Sequence, residues 1–183
     1  MRTFFSSVIV CLLSAALVLS CLSKKPDSSS VDTAKSVALG EITVDRCLFY
    51  TEGEDFKEKS GGDLDQKEAA SKGKCLGIMW GGTPTDFVTY EINMEDSSES
   101  TIMVIRAAIQ NPSPQSYDIL IDDKLVQTAT LLSTGGYGHT EREWRCFSIE
   151  LGPISKGPHT LTIRPSGNSG IVNIDCIALG RSE

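Results

Sequence analysis

From Gly40 onward, apolar residues recur at every second position or in short runs, and no stretch carries a sustained 3.6-residue stripe. The pattern therefore predicts strands over 41–48, 75–80, 86–92, 101–109, 117–121, 125–132, 144–151, 159–164 and 171–179. Alternation is clearest where Arg145, Phe147, Ile149 and Leu151 stand against Trp144, Cys146 and Ser148, which predicts a strand with one face buried and one more solvated. Asp122 and Asp123 mark a tight hairpin between two of the strands. Thr51 to Lys74 is polar, acidic and interrupted by Gly53, Gly61, Gly62 and Gly73; it reads as a long surface excursion with one helical turn near Gln66 to Ser71. No internal repeat is visible. Nine short strands divided by turn residues predict an all-β fold, a β-sandwich.

The amino-terminal pattern is of a different kind. Arg2 is followed by an apolar stretch from Val8 to Leu19, shorter than the roughly twenty residues a membrane-crossing helix needs, as expected of a secretory signal peptide over 1–20. Val18-Leu19-Ser20-Cys21 looks like a bacterial lipobox, which would make Cys21 the first mature residue and attach it to the membrane through acyl chains such as palmitate. Residues 22–38 are polar, Ser-rich and free of aromatics, so 21–38 reads as a lipidated cysteine with a flexible tether. The remainder, 39–183, is one domain. This organisation places the protein in the bacterial cell envelope, with the outer membrane or cell surface favoured.

Charge and composition narrow the function. The 183-residue chain has 17 Lys plus Arg against 24 Asp plus Glu, a net charge of −7, with no cationic cluster of the sort that grips nucleic-acid phosphates. Its two histidines, His139 and His159, lack metallohydrolase spacing, and no nucleophile motif surrounds any Ser or Cys. An enzyme is not expected. With Cys11 removed in the signal and Cys21 acylated, Cys47, Cys75, Cys146 and Cys176 remain, and in an exported chain two disulfides are the economical reading, with three connectivities open. Asp63, Asp65 and Glu68 read as a solvated acidic loop.

Several phrases, in order, resemble carbohydrate-binding modules of the family six and family thirty-five type. They are TDFVTYEINMEDSSESTIMVIRAA, with a strand ending in Arg106; YDILIDDKLVQTATL, where Asp122-Asp123 replaces the family's Asp-Gly turn; and then WRCFSIEL, GPHTLTI and NIDCIAL. The resemblance spans about 41 to 180 and implies a jelly-roll β-sandwich related to galactose-binding-like domains, with a glycan or polysaccharide as partner. It also implies a structural Ca2+ held by Asp45 and Asp175, although Thr43-Val44-Asp45 stands where the family has Glu-Ala-Glu. His159 matches a family position with a structural hydrogen-bonding role.

A sugar site needs an aromatic face for the pyranose and fixed polar groups for its hydroxyls. The positions resembling the family's site are Trp80 in LGIMWGG, Tyr137 and His139 in STGGYGHTE, and Asn168 in PSGNSG. Flanking glycines suit rings exposed on loops, whereas Trp144 is expected in the core. The expected function is that of a non-catalytic glycan-binding lipoprotein. The alternative is a structural or protein-interaction scaffold in which the sandwich persists without its sugar site.

Overall fold

The computed structural model describes residues 42, 43 and 46–182. The signal peptide, Cys21, the tether and Asp45 lie outside the described residues.

Among the described residues eleven strands follow one another: β1 (Cys47–Glu52), β2 (Glu58–Ser60), β3 (Asp63–Gln66), β4 (Lys74–Gly77), β5 (Phe87–Met94), β6 (Ser98–Ala108), β7 (Gln115–Ile121), β8 (Lys124–Leu131), β9 (Arg145–Ile154), β10 (Gly157–Pro165) and β11 (Asn173–Arg181). One sheet runs β3-β4-β11-β6-β9, with β1 also paired to β11; the second runs β2-β5-β10-β7-β8. Every pairing is antiparallel. The two inner faces meet in one core, to which β5 gives Tyr90, Ile92 and Met94, β10 gives Leu161 and Ile163, β6 gives Met103 and Ile105, and β11 gives Ile174, Ile177 and Leu179. Those side chains recur every second residue because successive Cβ atoms point to opposite faces of a strand; in β11 an irregularity between Ile174 and Cys176 shifts the alternation by one.

β6 is covered on both sides. Beyond the core, its Val104 packs outward against Ile42 and Ala178, and its Ala108 against Ala70, Cys75 and Trp144. This double burial explains why its sequence is a near-continuous apolar run.

The expected sandwich is present, with three local differences. The first strand starts at Cys47 rather than residue 41, because Ile42 buries itself on the outer face of the first sheet. The surface excursion contains β2 and β3, two short, largely exposed edge strands whose polar composition hides any alternation. Instead of a helical turn near Gln66 to Ser71, successive tight turns run from Lys67 to Gly73, with Ala70 N donating to Lys67 O at 2.9 Å and Gly73 N to Ala70 O at 3.0 Å.

The two expected disulfides are not formed: no bond joins any two of Cys47, Cys75, Cys146 and Cys176. Register separates one of the candidate pairs. Cys146 lies opposite Arg106, which lies opposite Cys176, so two strand spacings separate the cysteines, roughly 9 to 10 Å. A disulfide needs Cα atoms about 4 to 7 Å apart. Cys47 faces Gly180, four residues along β11 from Cys176, and Cys75 faces Asp65. Burial pushes the Cys75 thiol up to about 12 and raises that of Cys176 as well, which suppresses thiolate chemistry.

The hairpin between β7 and β8 turns on Asp122 and Asp123, both with positive φ (49° and 62°), as a two-residue turn of the mirror-image type requires. Asp122 repays the awkward backbone by accepting from Thr160 N at 2.9 Å and by meeting His159 Nδ1 at 2.7 Å. The other ring nitrogen of His159 lies 2.9 Å from Ser155 O and 3.2 Å from Ser155 Oγ. Two acceptors at its two nitrogens favour the doubly protonated ring. The Asp122 hydrogen bond accordingly raises the His159 pKa, and the same bond lowers that of Asp122.

The clamp's pH dependence follows from those signs. The raised imidazole contributes stability that is fully present below its unfolded pKa of about 6.5 and is lost as pH rises through the folded value. The depressed carboxylate loses its contribution as pH falls through its own folded pKa. The Tm difference between wild type and His159→Gln should therefore be largest near about pH 5.5 and shrink toward about pH 9. A pH-independent difference in thermal melts would contradict an imidazolium clamp.

Candidate functional site

One end of the sandwich gathers four segments around a hollow of about 280 Å³, lined by Asp65, Lys67, Ile78, Met79, Tyr137, His139, Ile171 and Asn173. Its geometry begins with Trp80. That side chain is fully buried, stacked on Tyr117 with centroids 5.9 Å apart and planes 13° from parallel, and its Nε1 donates to Phe87 O at 3.2 Å. Trp80 is thus a core residue, which corrects its expected role as an exposed sugar platform. Gly62 makes the fit possible, since a Cβ there would overlap Trp80 Cβ.

Driving Trp80 inward has a consequence for the residues before it. Ile78 and Met79 adopt left-handed φ values of 41° and 70° and stand 50% and 63% exposed. A β-branched residue in that region is strained, and two exposed apolar side chains held there form a wall of the hollow. Asp86 secures the far side of the turn by accepting from Gly81 N at 2.9 Å and Thr83 N at 3.2 Å.

The opposite wall is the loop between β8 and β9. Tyr137 is half-buried there and His139 is exposed. Asn173, buried at the start of β11, donates its amide to Tyr137 O at 2.8 Å. Glu143 accepts from His139 N at 2.9 Å and from Thr140 Oγ1 at 3.1 Å; the backbone bond from His139 foremost holds its carboxyl below the usual range. From below, Trp144 Nε1 donates to Gly138 O at 3.2 Å, and Gly138, at φ 81°, lies so close to the indole that a side chain could not fit. The third segment supplies Lys67, whose ammonium sits 3.0 Å from Asp65 and 3.4–3.5 Å from the two ring nitrogens of His139.

Arg106 ties these pieces together from the outer face of the first sheet. Its guanidinium, almost wholly buried, pairs with Asp175 on β11, donates to Ala69 O in the turn after Lys67, and reaches Glu141 Oε1 at 2.6 Å in the Tyr137 loop. It also lies 5.1 Å above the Trp144 ring. Burial works against its charge, but Asp175 and Glu141 outweigh that and raise its pKa.

The structure unites Tyr137 and His139 as expected and leaves Asn168 apart. Asn168 donates its amide to Pro114 O at 2.7 Å, so it fastens its own loop and does not line the hollow. Asn173 fills the polar role five residues later. The sequence pattern does not mark Ile78, Met79, Lys67 and Ile171 as site residues, and Asp65, expected in a solvated acidic loop, lines the hollow instead; the available signal is the pair of large apolar residues immediately before a Trp that the core claims.

The calcium expectation meets a different donor set. Asp175 accepts from Ser71 N at 2.7 Å, from Ser71 Oγ at 3.0 Å and from Arg106. Its neighbour Glu52 accepts from Ser71 Oγ and from Tyr50 Oη at 3.1 Å, and pairs with Lys72 at 3.4 Å. Ligand atoms of Glu52, Asp175 and Cys176 do lie within 4.8 Å of one another. With every carboxylate oxygen engaged, two cations already present and a thiol as the third group, this arrangement does not fit an ion that demands six to eight oxygens.

Ser155, His159 and Asp122 superficially resemble a hydrolytic triad. His159 Nε2 lies closer to the Ser155 carbonyl than to its hydroxyl, and an imidazolium bonded to two acceptors has no lone pair with which to take the serine proton.

The hub should dominate the energetics. Arg106→Gln strands the Asp175 charge and should cost about 3–5 kcal/mol. Trp80→Ala should cost a similar amount, about 3–5 kcal/mol, by emptying the core. Glu141→Gln, at an exposed carboxylate, should cost under about 1 kcal/mol. Urea unfolding of the three variants checks this ranking; an Arg106→Gln protein within 1 kcal/mol of wild type would contradict it.

No protein-family model matches the sequence, and a search of curated proteins found no match. Solved structures do match. A family 35 carbohydrate-binding module from Clostridium thermocellum aligns at 17% identity over 73% of this chain and 98% of that one, with a TM-score of 0.61. A carbohydrate-binding module from Cellvibrio mixtus lichenase 5A, solved in complex with cellotriose, aligns at 22% identity over 75% and 99%, with a TM-score of 0.60. An exo-β-1,3-galactanase from Phanerochaete chrysosporium aligns at 13% identity over 73% of this chain but 29% of its own, with a TM-score of 0.59. The fold of this chain is the β-sandwich of family 6 and family 35 carbohydrate-binding modules.

Proposed function

We propose that the protein is a non-catalytic glycan-binding module that uses the hollow between Met79 and Tyr137, and that Cys21 carries a lipid holding it in the bacterial envelope. The observation that supports a ligand site is the strained Ile78-Met79 pair, held outward beside a half-buried tyrosine. Asp65, Lys67 and His139 line the same hollow and supply acceptors and donors beside that wall. The fold's similarity to glycan-binding modules supports the same reading.

A scaffold for a protein partner is the second reading. It is favoured by Leu125, Val126 and Leu132, three exposed apolar side chains on or beside edge strand β8.

A glycan array probed with the detergent-solubilised full chain separates the two. We expect hits that Tyr137→Ala weakens about tenfold, the loss of one good ring contact, with melting unchanged. Absence of any hit, or hits indifferent to Tyr137, would favour the scaffold.

Anchoring has its own test. Cys21→Ser should move the protein from the detergent phase to the aqueous phase on phase partitioning, and unchanged partitioning would rule out acylation at that residue.

A further inference from the structure

The make-up of the hollow points to a particular kind of sugar. An ordinary pyranose presents one apolar C–H face and a rim of hydroxyls, and it is best met by an aromatic plate with polar groups around it. Among the described residues, the rings lining the hollow are those of Tyr137 and His139, and the remaining apolar surface is aliphatic: Ile78, Met79 and Ile171. Aliphatic side chains offer no π-face. What they do offer is a place from which an apolar substituent can exclude water.

The polar side of the hollow is balanced in charge. Lys67 and Asp65 pair at 3.0 Å, with side chains 7% and 26% exposed, so one donor and one acceptor stand side by side without net charge. Such a pair matches two adjacent hydroxyls and gives an anionic sugar no advantage. The net charge of −7 disfavours polyanions further. A volume of about 280 Å³ suits one sugar ring rather than a run of them.

Building on the glycan-binding reading, we infer that the ligand is a neutral pyranose carrying an exocyclic methyl, as a 6-deoxyhexose does, with the methyl against Ile78, Met79 and Ile171 and a vicinal diol on Asp65 and Lys67. Replacing CH2OH by CH3 removes a hydroxyl that this wall cannot hydrogen-bond and leaves an apolar group that it can cover. Met79 and Ile78 are fixed in position by the buried Trp80 that follows them, so the wall is formed before the ligand arrives.

Three pairs of methyl glycosides that differ by a single oxygen test this: D-galactose against D-fucose, L-galactose against L-fucose, and L-mannose against L-rhamnose. Each is titrated calorimetrically into the detergent-solubilised full chain. The deoxy member of at least one pair should bind about fourfold or more tighter, the value of one covered methyl. Met79→Asn, which retains a side chain tolerant of the left-handed backbone, should bring that ratio to about one while melting stays unchanged. Glycan-array hits without any deoxy preference would overturn this inference and leave the binding reading intact. A deoxy preference that survives Met79→Asn would also overturn it, because the methyl would then lie elsewhere. Failure of every glycoside and every arrayed glycan to bind would overturn both.

Discussion

The ion pair between Arg106 and Asp175 is the contact on which the site-bearing end of the molecule depends. Each charge would be costly to bury alone, and the pair is tolerable because both terminal nitrogens of the guanidinium and both oxygens of the carboxylate find partners. Those partners are the segments that form the hollow: Ala69 and Ser71 belong to the turns after Lys67, and Glu141 belongs to the Tyr137 loop. Trp144, under the same guanidinium, holds the Gly138 carbonyl between Tyr137 and His139. Satisfying one buried cation thus ties two loops to the first sheet, in addition to the bonds that each loop makes for itself. At Asp175 the positive charge that a metal could supply is supplied by the chain.

The second constraint is steric. Trp80 fills the end of the core against Tyr117, and the chain has too few residues between the end of β4 at Gly77 and Trp80 to bury Ile78 and Met79 as well. Left-handed backbone at both positions is the geometric consequence, and the exposed wall follows from it. Core packing and surface chemistry are here the same event seen from two sides. That coupling is why a residue expected to touch sugar directly instead acts at one remove, through the two residues it displaces.

How far the sequence could be read depends on which force placed each element. Strands buried on one face, such as β5 and β9, write their alternation into the sequence and were predicted within a few residues. β1 was misplaced because Ile42 belongs to the outer face of the sheet, and periodicity records burial without saying against what. β2 and β3 left no trace, since edge strands with solvated side chains need no apolar pattern. Tyr137 and His139 were legible from their glycine setting, which signals a loop. The same setting misled for Trp80, where the glycines serve close packing and a turn; distinguishing these cases requires knowing that Tyr117, 37 residues away, presents its ring at that point. Cysteine counting likewise carries no information about register, which places Arg106 between Cys146 and Cys176.

The most direct test of the account is a map of where a sugar touches the protein. Two-dimensional NMR of the isotope-labelled full chain in detergent micelles, titrated with an array-positive glycan, would report it. The account predicts shift changes concentrated at Ile78, Met79, Tyr137, His139 and Ile171, with the core resonances of Tyr90, Leu161 and Ile177 unmoved. Changes centred on the outward face of the β2-β5-β10-β7-β8 sheet, or on the β8 edge, with the Met79 and Tyr137 signals unaltered, would contradict it.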